Sequence, residues 1–343
     1  MDLRQYILDL NRARSEEFCS PQAQDQLHFY KKHHPTHILA FKCMDGRINL
    51  PLITGLPDGV FQPFRNIGGK FDLGAPLLND LVIQARRDAL AAGSRMLALC
   101  TYHFSNGDSH RGCAGHGYDT QKAMDGAIKL KQQFESMFGK GNTVVAAIVI
   151  GIETDDDTLI FHGENDTHWS VADSTEISEE EISSKLRKLY PWMDREMLDD
   201  ILPIAVGNCD HVRTIRLQKR PIAELVHGEN IIAVGRAFGW MHLPNKALII
   251  GPYDYEWGSA VRVAGGIVAD NIAQGLVNKQ DGALLLVLTP FWYAAERDAV
   301  AEKSRYIARV SQAVLSESFP DLSFRTLVGV TDLHTGLIHE LEL

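Results

Sequence analysis

The chain has 343 residues, 45% hydrophobic and 23% charged, enough apolar side chain to bury a large core and a length that suggests two domains more readily than one. Its formal net charge of -10 argues against a nucleic-acid surface, and no basic run with interleaved aromatics reverses that. No stretch is long and apolar enough to span a bilayer, the amino terminus has no continuous apolar run, and five cysteines without a regular framework fit a reducing compartment; a soluble cytoplasmic protein with no membrane partner is expected.

In chain order, Leu3, Tyr6, Ile7 and Leu10 recur at helical spacing, and Ser20-Pro21 reads as the cap and first-turn proline of a second helix stopped by Pro35. The apolar run HILAF predicts a buried strand that ends near Cys43. A Gly/Pro-rich connection leads to a short strand from Val60 to Asn66, closed by Gly68-Gly69, and then to a helix from about Leu73 to Ala92. MLALCTYH, from Met96 to His103, is a second continuous apolar run of the kind that parallel sheets bury. A loop rich in Gly and His follows, then a helix from about Thr120 to Phe138, the strand VVAAIVIGI, an acidic turn at Asp155 to Asp157, and TLIFH. The alternation implies an α/β fold with mainly parallel central sheets flanked by helices. From about Gly163 to Arg216 the chain turns acidic and helical, with a capping box at Ser178 to Glu181.

Motifs of the first half then recur in the second. AFKCMDGRINLP (Ala40 to Pro51) aligns without gaps on AVGRAFGWMHLP (Ala233 to Pro244), RNIGG (Arg65 to Gly69) on RVAGG (Arg262 to Gly266), LALCTYHF loosely on LLVLTPFW, and GIETDDDTLI on GVTDLHTGLI. Four matches in one order predict a duplicated unit. In the copy, Cys43 falls on Arg236, Asp45 on Phe238, Arg47 on Trp240 and the His103 region on Phe291, so the scaffold is kept and the chemistry lost. The expected division is a helical arm at 1–35, a site-bearing domain at 36–165, a helical connector at 166–215 and a degenerate repeat at 216–343. Such a chain is a pseudo-dimer, with a homodimer or higher oligomer open to it.

Chemistry concentrates at the end of the first strand. Cys43, Asp45 and Arg47 alternate, and an extended backbone points alternate side chains the same way, offering a metal ligand, a proton acceptor and a cation to orient it. The loop after the second strand supplies His103, then His110 and Cys113 as H-x-x-C, then His116. Zinc takes thiolate and imidazole, and a catalytic site uses three protein ligands with a fourth place left to water. Cys43 and Cys113 are the expected thiolates. His103 is preferred as the imidazole because strand ends fix positions better than loops, and His110 is the alternative. A lone C-x-D-x-R is more often a strand end with a buried thiol and a surface ion pair; the order and joint presence of the pieces carry the metal reading.

C-x-D-x-R, about twenty residues ending in R-N-x-G-G, and a strand feeding a His and a Cys together resemble the β-class carbonic anhydrases, on Cys43, Asp45, Arg47, Arg65-Asn66, a His and Cys113. The degenerate second half is similar to one branch, the carboxysome shell carbonic anhydrases, in which a duplicated domain has lost its zinc and a longer loop separates the His and Cys ligands. That favours His103. The resemblance implies two β-carbonic-anhydrase-like halves, Zn2+ as cofactor, and reversible hydration of CO2 to bicarbonate. Asp45 would accept the hydrogen bond of the zinc-bound water or replace it as fourth ligand, and Arg47 would hold Asp45 ionised; His110 or His116 would carry the proton away. Action on CS2 or COS, or a non-catalytic zinc- or bicarbonate-binding module, are the alternatives. The branch's long disordered amino-terminal extension is missing here, which argues against residence in a carboxysome.

Overall fold

Residues that are apolar without alternation form a strand only where both faces of the sheet are covered, and the runs HILAF and MLALCTYH do so in this computed structural model, which describes residues 2–173, 176–218, 226–253, 256–278 and 280–343. In chain order the elements begin with α1 (Leu3–Phe18), α2 (Pro21–His33), β1 (His37–Cys43), α3 (Leu50–Thr54), β2 (Phe61–Asn66), α4 (Pro76–Ala91) and β3 (Met96–Phe104). There follow α5 (Thr120–Phe138), β4 (Val145–Glu153), β5 (Thr158–His162), β6 (His168–Ser170), α6 (Glu179–Leu189) and α7 (Arg195–Gln218). The chain closes with β7 (Ile231–Gly235), β8 (Ala247–Ile250), α8 (Trp257–Ala273), β9 (Ala283–Phe291), α9 (Arg297–Ser318), β10 (Phe324–Asp332) and β11 (Ile338–Leu341). Ser20 accepts from the amide of Ala23 ahead of Pro21, and Ser178 with Glu181 forms the reciprocal cap that starts α6. Among the described residues no helix is long and apolar enough to cross a membrane.

Two compact units divide the chain: one holds residues 26–43 and 48–225, the other residues 1–25, 44–47 and 226–343. In the first unit the strand order is β2-β1-β3-β4-β5-β6, with β2 to β4 parallel and β5 and β6 antiparallel at the edge. β4 is buried along its whole length and β3 along all but its last residue. α5 lies on β3 and β4, and its Phe134 ring meets Phe41 of β1 edge-on at 5.3 Å, while Phe64 of β2 stacks on Phe41 at 4.7 Å. α7 is fastened by Asn208, fully buried, whose amide donates to the carbonyls of Ile53 and Asp157 and accepts from the amide of Leu159. Gly207 beside it has no room for a side chain, since a Cβ there would lie 1.8 Å from the carbonyl oxygen of Thr54.

The second unit has the strand order β8-β7-β9-β10-β11, parallel except for the β10–β11 pair. Strand for strand this is the order of β2-β1-β3-β4-β5. α1 lays Leu3, Ile7 and Leu8 into the core with Ile231, Ala247 and Leu286, and Asn11 pins it by donating to Gly336 and accepting from Ile338, both at 2.8 Å. Residues 44–47 run beside β8: the Ile249 amide donates to Met44 at 2.7 Å and the Gly46 amide to Ala247 at 3.1 Å. A Cβ at Gly46 would lie 2.5 Å from the Ala247 oxygen and 2.7 Å from that of Leu243, so this edge requires glycine.

Two of the sequence correspondences differ in three dimensions. RNIGG ends β2 and makes a tight turn, whereas RVAGG lies inside α8. In the sheets Ala40 pairs with Leu99 and Ala233 with Leu286, so when Ala40 is laid on Ala233, Pro290 takes the level of His103 and Phe291 that of Phe104. A continuous apolar run has no alternation to fix its register, so a one-residue slip leaves the pattern unchanged.

Candidate metal centre

β1 and β3 are parallel neighbours, so their carboxyl ends open on one edge of the first unit's sheet, the edge at which such sheets hold ligands. Cys43 is the last residue of β1 and His103 the last but one of β3; Cys113 returns to them after a nine-residue loop. All three are buried, at 5%, 2% and 3% exposure. Their donor atoms lie within 4.8 Å of one another, and the sulfurs of Cys43 and Cys113 are 3.8 Å apart. Two thiolates bound at about 2.3 Å in a tetrahedral shell would stand about 3.8 Å apart, so the pair fits one such ion.

The loop reaches this place because small residues let it. Gly68 and Gly69 adopt φ of 62° and 61°, in the left-handed region that favours glycine. A Cβ on Gly115 would lie 2.5 Å from the Gly68 nitrogen, so the turn after Cys113 sits directly on the turn after β2, and His116 Nε2 meets the Gly68 carbonyl at 2.9 Å. Asn66 shapes that turn, accepting from Ile67 and donating to Lys70.

On its other side the loop is held by the turn after β4. Glu153, buried, accepts from the amides of Asn106, Asp155 and Asp156. Asp155 accepts from the Ser105 hydroxyl at 2.9 Å, the Gly107 amide at 2.7 Å and the Arg111 guanidinium at 3.2 Å. Burial pushes the Glu153 carboxyl up. Burial works the same way on Asp155, but the bonds from Gly107 and Ser105 and the Arg111 charge hold it below its usual range.

The remaining sequence candidates have surroundings of their own. His110 leaves 81% of its side chain exposed, with Nδ1 3.5 Å from Asp108 and its ring 5.4 Å from that of Tyr118. His116 is half-buried, and burial lowers its pKa below the usual imidazole value. Asp45 and Arg47 belong to the segment alongside β8 in the second unit. Arg47 Nε donates to both Asp45 oxygens at 3.1 Å, Nη2 to Oδ2 at 2.6 Å and the Arg47 amide to Oδ1 at 2.9 Å. Both side chains are buried.

Sequence reasoning missed His227. Its Nδ1 lies 2.6 Å from Glu229, whose other oxygen accepts from Asn271, and the charges of Asp45 and Arg47 act on it within the same unit. Burial opposes a charge on His227, but the bond to Glu229 and the negative charges of Glu229 and Asp45 together outweigh it and the pKa is raised. H-G-E ahead of an apolar strand was the one local signal.

Residues 32–226 match the model of the family described as Carboxysome Shell Carbonic Anhydrase, catalytic domain. The carboxysome shell carbonic anhydrase of Hydrogenovibrio crunogenus is 33% identical over 133 residues, which cover 35% of this chain and 25% of that protein. That of Prochlorococcus marinus is 24% identical over 233 residues, 59% of this chain and 45% of that protein, and that of Halothiobacillus neapolitanus is 30% identical over 133 residues, 35% and 26%. The chain thus matches less than half the length of each of these curated relatives. The family match runs through the strand that ends in Cys43, the loop that carries Cys113 and all of α7, more than half of the polypeptide, and the chain therefore belongs to the carboxysome shell carbonic anhydrase catalytic-domain family.

Proposed function

We propose that this chain is a zinc-dependent carbonic anhydrase that interconverts CO2 and bicarbonate, with Cys43, His103 and Cys113 as metal ligands. The observation that carries this reading is the buried Cys–His–Cys group, whose sulfur spacing of 3.8 Å suits a tetrahedral ion and whose three donors leave a fourth place for a reactant. When bound, zinc supplies the Lewis acidity that makes water a nucleophile near pH 7. Asp45, two residues beyond Cys43 in the chain, would accept the hydrogen bond of the attacking water or take its place as fourth ligand. Arg47 would hold that carboxylate ionised and in plane through a bidentate pair, Nε donating to Oδ1 and Nη2 to Oδ2. His110, with its exposed ring, passes the released proton to solvent, a role its neighbour His116 is less suited to while it is engaged with Gly68. The common strand order of the two sheets supports a duplicated origin, with the catalytic domain at 36–165 and the degenerate repeat at 216–343.

Metal analysis and CO2 hydration, measured on the intact chain and on Cys43→Ala, His103→Ala, His110→Ala and Cys113→Ala, test the proposal. About one zinc per chain is expected in the parent and in His110→Ala, with zinc and activity both lost in the other three. Zinc without hydration at any pH would leave a binding module, and no stoichiometric zinc would end the reading altogether.

A further inference from the structure

The acidic turn at Asp155 to Asp157 has no part in the chemistry above, yet it holds the loop that brings Cys113 to His103. We propose that Asp155, backed by Glu153, is the positioning residue for the second thiolate: its carboxylate sets the path of residues 105–111 and so fixes where the Cys113 sulfur stands. This rests on the reading of Cys43, His103 and Cys113 as metal ligands.

The argument is one of connectivity. Nine residues separate His103 from Cys113, and a loop of that length has many paths of similar free energy unless its polar groups are tied down. Asp155 ties down three of them at once: the Ser105 hydroxyl, the Gly107 amide and the Arg111 guanidinium, two residues before Cys113. Glu153 takes the Asn106 amide between them and also the amides of Asp155 and Asp156, which fixes the carboxylate doing the holding. Thr154 donates from both its amide and its hydroxyl to the Phe104 carbonyl, so the turn and the loop leave the sheet in a fixed relation. A Cβ on Gly107 would come within 2.9 Å of an Asp155 oxygen, so loop and carboxylate are in direct contact. Groups that orient metal ligands from outside the shell are worth roughly 10–100-fold in metal affinity, and this cluster is placed to do so through the backbone.

The test is zinc transfer from the intact loaded protein to a colorimetric chelator, together with the thiolate-to-metal charge-transfer spectrum of the cobalt-substituted form. Asp155→Ala is expected to release zinc roughly 10–100-fold faster than the parent and to shift or weaken the cobalt band. Asp155→Asn, which still offers an oxygen to Ser105 and Gly107, is expected to recover part of both. A purely structural role would lower thermal stability and leave the cobalt spectrum of the folded fraction unchanged. Should Asp155→Ala not fold, Ser105→Ala and Arg111→Gln decide the matter, each removing one tie. Release rates and spectra equal to the parent's in every folded variant would overturn the proposal while Cys113→Ala still loses zinc. Zinc held as tightly by Cys113→Ala as by the parent would instead overturn the ligand reading and this proposal with it.

Discussion

Arg47 and Asp45 are buried with about as full a set of mutual hydrogen bonds as two such side chains can make, and removing one partner of such a pair leaves the other charge unsatisfied. Asp45→Asn is expected to lower CO2 hydration by about 10²-fold or more with zinc content unchanged, the range for loss of a proton-accepting group; activity close to that of the parent would remove Asp45 from the mechanism. His227 carries a pH signature of its own. Its pKa is raised in the fold, so the charged His227–Glu229 pair adds stability that is fully present below the ordinary imidazole value of about 6.5 and is lost as pH rises through the higher native value. Denaturant titrations are expected to show that loss in the parent and not in His227→Gln, and the His227 ring should titrate above its ordinary range by NMR. That Cys43 and His103 share one sheet edge was legible because each closes a continuous apolar run. His227 was not, because 180 residues separate it from Arg47 and only the folded sheet brings their charges within reach.

Elements meet where side chains are absent. Gly115→Ala would drive a methyl group into the backbone of Gly68 and move the turn that follows Cys113; a loss of about 1–3 kcal/mol is expected, with weaker zinc retention, by denaturant unfolding of the loaded protein. Asn208→Ala leaves two carbonyls and an amide without their buried partner, and a loss of about 2–4 kcal/mol is expected for the first unit. Strand and helix limits were largely readable: α5 runs from Thr120 to Phe138 as its pattern implied, and β3 extends one residue past His103. RNIGG and RVAGG part company for a plain reason. Arg65 to Gly69 needs two residues of positive φ to end a strand, while the same letters at Arg262 to Gly266 sit in an apolar stretch at helical spacing, with Ala260, Val261, Ala264 and Val268 buried. Local context outweighed the motif.

At the scale of the whole chain, two sheets share a strand order while the donors at their edges differ, Cys43 in one and Arg236 in the other. Zinc that binds only the folded form adds about 2.7 kcal/mol of stability at a free concentration of 100 times its dissociation constant. Calorimetry is therefore expected to show chelation lowering the melting temperature of the transition that carries β1 to β6, and zinc restoring it; a melting curve indifferent to chelator would count against a resident ion.

The path of residues 44–47 has a further consequence. Cys43 and Asp45 are two residues apart, yet they answer to different sheets, the first closing β1 and the second lying along β8. A fragment cut to the span shared with the family would deprive Asp45 and Arg47 of the edge that Ala247 and Ile249 provide. A test of the proposed roles of Asp45 and Arg47 therefore needs the whole chain, because β8, which borders Asp45, lies outside the span shared with the family.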